Sequence, residues 1–84
     1  MEIEFDPAKD AVNVAKHGVS LARARDLTDV VVVQDHRFAE RRFRLYGRLD
    51  GLPHCAAVVF RGDALRIISF RRAHQKEFRR HVQG

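Results

Sequence analysis

From Val30 to Phe70, four short apolar segments follow one another, each bounded by turn-forming residues. Val30-Val31-Val32-Val33 is β-branched throughout and ends at Asp35-His36-Arg37. Arg42-Phe43-Arg44-Leu45-Tyr46 alternates, so Phe43 and Leu45 face a core while Arg42, Arg44 and Tyr46 face away. Gly47 to Pro53 is expected to turn, with Asp50-Gly51 at its tip. Residues 54–60 form the next strand, and Arg61-Gly62-Asp63 a hairpin connection. Residues 65–70 are apolar on both faces and predict a central strand. A chain with this pattern must build an antiparallel sheet.

The first thirty residues follow a different rule. Glu2 to Phe5 alternate as a short edge strand with Ile3 and Phe5 inward. Asp6 and Pro7 then start a helix, a carboxylate cap followed by proline at the first helical position. Ala8, Ala11, Val12 and Ala15 recur at helical spacing and predict a buried apolar stripe. Gly18 stops this helix, and Ser20 caps a second short one with Leu21, Ala24 and Leu27 buried. Ala73 to Val82 reads as a last helix, with Phe78 and Val82 inward and Arg79 and Arg80 outward. The expectation is an α+β fold of order β-α-α-β-β-β-β-α, its antiparallel β-sheet packed against helices. Residues 1–84 are expected to form a single domain, because so short a chain cannot build two cores.

Several functions are excluded at this stage. The longest apolar runs fall far short of the ~20 residues a membrane span needs. The acidic start, MEIEFD, is unlike a secretory signal, and a lone Cys55 suits a reducing, cytoplasmic setting as a small buried hydrophobe. No metal or cofactor is expected. His36, His54 and His74 are isolated, and His74 and His81 stand seven apart without a matching carboxylate. Nor does the chain carry a nucleophilic triad or a glycine-rich phosphate loop.

Charge supplies the positive indication. The net charge is +5, and residues 1–40 carry −3 whereas residues 41–84 carry +8. Thirteen of the sixteen basic residues are arginine, which bonds phosphate bidentately and stacks on bases. This polarity fits a nucleic-acid partner, and equally a merely solvated basic surface.

Several strings together resemble the BrnT-type toxins: Phe5-Asp6-Pro7-Ala8-Lys9, Asn13, and Lys16-His17-Gly18-Val19-Ser20. Further on come Glu40-Arg41-Arg42-Phe43, Gly47, Arg66-Ile67-Ile68-Ser69-Phe70-Arg71-Arg72-Ala73, and Glu77. They run in the family's order and cover nearly the whole chain. Phe5 stands where the family usually has tryptophan, Asp29 runs straight into Val30 where it has an Asp-Pro turn, and the loop before Glu40 is short. The resemblance implies a RelE-like fold and a ribonuclease toxin of a type II toxin–antitoxin module. It also implies a ribbon-helix-helix antitoxin whose complex with the toxin binds operator DNA, in a higher-order oligomer.

Metal-independent RNA cleavage requires a base near the 2′-hydroxyl, cations for the phosphorane and an acid for the leaving oxygen. Lys16 and His17 at the end of the first helix can serve as proton carriers or phosphate ligands; equally, they complement the helix dipole. Arg42, Arg71 and Arg72 are candidates for charge stabilisation, and Arg71 and Arg72 point to opposite faces of their strand. Arg44 and Tyr46 would hold a phosphate and stack a base, or form a solvated face. Glu40 would orient Arg42, act as a base, or form an exposed ion pair. An acidic antitoxin segment is expected over the Arg42/Arg44/Tyr46 face. The competing functional reading is a non-catalytic nucleic-acid-binding or antitoxin-docking module.

Overall fold

A computed structural model describes residues 2–37, 39 and 41–82. The elements in chain order are β1 (Glu2–Glu4), α1 (Pro7–His17), a 3-10 helix (Leu21–Asp26), β2 (Thr28–Asp35), β3 (Arg42–Leu49), β4 (Leu52–Arg61), β5 (Ala64–Arg72) and α2 (Gln75–His81). The five strands make one sheet in the order β1-β5-β4-β3-β2. It is not wholly antiparallel, because β1 lies parallel to β5 while the other pairs are antiparallel. Parallel pairing requires a crossover, and the chain between β1 and β5 supplies it.

The local signals act as the sequence indicates, with a few displacements. The Asp6 carboxylate accepts from the Ala8 N–H at 2.8 Å, and Gly18, at φ 74°, closes α1 by donating to the Val14 carbonyl. The second helix is 3-10 rather than α. Asp10 accepts from the Leu21 N–H at 2.7 Å and from the Ser20 hydroxyl at 3.0 Å, which pins the segment before the chain must enter β2. The expected turn over Gly47–Pro53 shrinks to Asp50 and Gly51, both at positive φ, with Leu49 opposite Leu52. β2 is longer than Val30–Val33, and α2 is shorter than Ala73–Val82. Ala73 instead donates to the Pro53 carbonyl at 3.0 Å, extending the sheet.

Each sheet face carries a core. On one face Leu45, Leu49, Ala56, Val58, Leu65, Ile67 and Phe70 pack against Leu21 and Ala24 of the 3-10 helix. On the other, Tyr46 and Cys55 pack with Ala73 and Phe78, so α2 covers part of the face that Arg42 and Arg44 share. Gly47 lies hard against the main chain at the start of β2. A Cβ there would stand 2.8 Å from the Thr28 carbonyl oxygen, so any side chain displaces β2.

The apolar stripe predicted for α1 is not buried. Ala8, Ala11, Val12 and Ala15 are all exposed, Val12 by 64%. The helix is fastened through its polar side instead. Asn13, the buried residue of α1, donates to the Val19 and Phe70 carbonyls at 2.8 Å each and accepts from the Phe70 N–H at 3.1 Å. Three hydrogen bonds to main chain 6 and 57 residues away do the anchoring that apolar contact was expected to do.

Candidate active site

β5 contains the local feature that aims the arginines. Ile67 pairs with Val58 and Ser69 with Ala57, so Ile68 is an extra residue that forms a bulge. Beyond it, Arg71 lies opposite Cys55, on the face of Arg42, Arg44 and Tyr46; Arg72 lies opposite His54, on the α1 side. The two arginines thus occupy opposite faces, as expected, and the bulge decides which occupies which.

Arg71 is held by Glu77 from the first turn of α2. Its two terminal nitrogens donate to the two carboxylate oxygens at 3.1 Å each, a fork that fixes the guanidinium plane. The same carboxylate accepts from the Tyr46 hydroxyl at 2.8 Å and from Arg44 at 3.5 Å, and Arg44 also donates to the Tyr46 oxygen at 3.3 Å. Arg44 further pairs with Asp35 at 3.4 Å. Arg71, with Tyr46 and Arg44 adding to it, lowers the Glu77 pKa to about 2, so this carboxylate is a fixed anion and not a proton carrier. Burial pushes the Tyr46 phenol up to about 12. Hydrogen bonds from Arg37 hold the Asp35 carboxyl well below its ordinary range, and burial raises the Cys55 thiol.

Two open clefts meet at Arg71. The larger, about 650 Å³, is lined by Lys16, His17, Arg71, Arg72, His74, Glu77 and Arg80. The smaller, about 230 Å³, brings Arg42 and Arg44 together with Asp35, Arg37, Ser69 and the other side of Arg71. Lys16, His17, Arg71 and Arg72 therefore converge, while Arg42 and Arg44 lie next door. Tyr46 is a correction. It shares their face, as the alternation predicts, but it is 0% exposed, stacked on His81 at 4.6 Å and edge-on to Phe78. No base can stack on it; its hydroxyl aligns Arg44 and Glu77. Glu40 lies outside the described residues.

Sequence reasoning did not single out Glu77, His74 or Arg80 as site residues. Glu77 figures only among the family-like strings, and Arg80 reads there as a solvated helical cation. Among the described residues, no three His, Cys, Asp or Glu side chains converge as a metal cage would require. The arrangement sets the His17 and His74 imidazoles in a cleft lined by Lys16, Arg71, Arg72 and Arg80, a lining that suits a polyanion.

Residues 5–77 match the family described as ribonuclease toxin, BrnT, of type II toxin–antitoxin systems. The crystal structure of the Brucella abortus ribonuclease toxin BrnT is similar at TM-score 0.72, with 28% identity, over 89% of this chain and 99% of that one. No curated protein gives a significant sequence match. Fold, cleft and comparisons together place the chain in the class of small α+β toxins of type II toxin–antitoxin systems. Within that class, it belongs to the BrnT family of ribonuclease toxins.

Proposed function

We propose that residues 1–84 act as one RelE-like toxin domain, a metal-independent endoribonuclease that stops translation in the bacterial cytoplasm by cutting RNA. The observation that carries this reading is the convergence of Lys16, His17, Arg71 and Arg72 on one open cleft, with Arg71 aligned by the Glu77 fork. The RNA 2′-oxygen attacks the adjacent phosphorus as His17 takes its proton. The Lys16 ammonium and the Arg71 and Arg72 guanidiniums carry the charge that develops on the phosphorane. The Lys16/His17 pair returns a proton to the 5′-oxygen as the P–O5′ bond breaks, leaving a 2′,3′-cyclic phosphate. Arg42 and Arg44 hold the neighbouring phosphate across the shared Arg71 wall.

The same proposal includes an antitoxin with a ribbon-helix-helix domain, operator binding by the complex, and a higher-order toxin–antitoxin oligomer. The family's type II description supports the antitoxin.

Purified protein is incubated with end-labelled RNA in EDTA and in magnesium. Cleavage is expected in both, with cyclic phosphate ends. Arg71→Ala/Arg72→Ala should lower the rate by at least about 10²–10³ while circular dichroism shows the fold intact. Arg79→Ala should cut normally, since Arg79 lies outside both clefts. Cleavage lost in EDTA and restored by magnesium would overturn metal independence. A fully active, folded double variant would remove both arginines from the site, and binding without cleavage would favour a non-catalytic module.

A further inference from the structure

The polar fastening of α1 leaves an apolar face without a partner among the described residues. Ala8, Ala11, Val12 and Ala15 line the outer side of the helix. Beside them a groove of about 330 Å³ runs between α1 and the bulge of β5, with Ala8, Val12 and Ile68 as its apolar wall. Lys9 and Lys16 flank it, one heptad and about 10 Å apart along the helix. Lys16 and His17 line both this groove and the catalytic cleft.

We propose that the α1–β5 groove docks an amphipathic helix of the antitoxin, apolar toward Val12 and Ile68 and acidic toward Lys9 and Lys16; this rests on the toxin–antitoxin reading above. Helix-in-groove binding needs an apolar stripe for affinity and flanking charges for register, and both are present. RNA has no use for the stripe. A second copy of this +5 chain, meeting it across a two-fold axis, would bring Lys9 and Lys16 against their own counterparts. An acidic, apolar segment meets neither objection. The Arg42/Arg44/Tyr46 face is a weaker match for it, because Tyr46 is buried and Arg44 already has Asp35 and Glu77 as counter-charges. Docking in the groove also explains neutralisation: a carboxylate on Lys16 takes a cleft cation out of use.

The test uses the protein encoded by the reading frame adjacent to the toxin's own, co-expressed and purified with the toxin. Val12→Glu and Lys9→Glu each alter an exposed side chain outside the catalytic cleft, so RNA cleavage and melting temperature should stay at wild-type values. Affinity for the adjacent protein should fall on the order of 10–100-fold for Val12→Glu and about tenfold for Lys9→Glu. Hydrogen exchange in the complex should protect α1. Equal binding of wild type and Val12→Glu, or protection of β3 with α1 left open, would overturn the groove while leaving the toxin–antitoxin reading intact. An adjacent protein that binds neither form would overturn both. If Val12→Glu melts early, Val12→Ser replaces it under the same criteria.

Discussion

Replacing Glu77 with glutamine isolates the charge at the centre of the site while leaving its shape nearly unchanged. In the wild type the carboxylate meets Tyr46 at 2.8 Å, Arg71 at 3.1 Å through both oxygens, and Arg44 at 3.5 Å. Its ionisation moves from 4.5 to about 2, chiefly through Arg71. At about 1.4 kcal/mol per tenfold change in proton affinity, the ceiling on this stabilisation is about 3 kcal/mol. The side chain retains 19% exposure, and solvent screening brings the expected loss to about 1–2 kcal/mol. The sign with pH follows from the folded state holding the proton less tightly than the unfolded chain. The stabilisation is complete above the unfolded value near 4.5 and disappears as pH falls toward 2. Urea unfolding of wild type and Glu77→Gln, followed by far-ultraviolet circular dichroism, should differ by about 1–2 kcal/mol at pH 7. By pH 2.5 the difference should shrink to about 0.5 kcal/mol or less. Asp35 also loses stabilising charge in acid, but it is present in both proteins and cancels. A difference that stays the same at both pH values would refute the electrostatic account and make Glu77 a packing residue.

Two further outcomes follow from the geometry. Asn13→Ala should cost about 2–3 kcal/mol by leaving the Phe70 N–H and two carbonyls unbonded; cleavage should fall with it, because α1 carries Lys16 and His17, and a melting curve like the wild type's would refute this anchoring. Four cations line the large cleft, Lys16, Arg71, Arg72 and Arg80. The affinity for a non-cleavable single-stranded oligonucleotide, read by anisotropy, should therefore fall with log salt at a slope of about −3; a flat dependence would count against phosphate binding.

The strands, turns and caps were legible in the sequence because each is written in neighbouring residues. Asp6-Pro7, Gly18 and Asp50-Gly51 act where they stand, and the alternation of Arg42–Tyr46 puts those side chains on the predicted faces. What was not legible depends on partners distant in the chain. Periodicity measures apolarity and so turned the wrong side of α1 inward; the anchor is Asn13, whose Phe70 partner is 57 residues away. Alternation puts Tyr46 on the outward face, and nothing in β3 indicates that α2 folds over it. Glu77, an acid in the first turn of a helix, looks like an ordinary complement to the helix dipole until the fold brings Arg71 and Tyr46 to it.

The extra residue at Ile68 makes β5 a counting device. Spacing along a strand has parity, and one residue more between Ile67 and Arg71, absorbed into the ladder, would seat Phe70 opposite Cys55 and move Arg71 to the place opposite His54. Arg71 would join the face that Phe70 now occupies, an apolar ring would take its place, and both clefts would lose the cation that joins them. In this segment the number of residues is a stricter requirement than their chemistry. A relative could replace Ser69 or Ile68 and keep the site, but a single-residue insertion absorbed into the ladder would dismantle it without touching a charge.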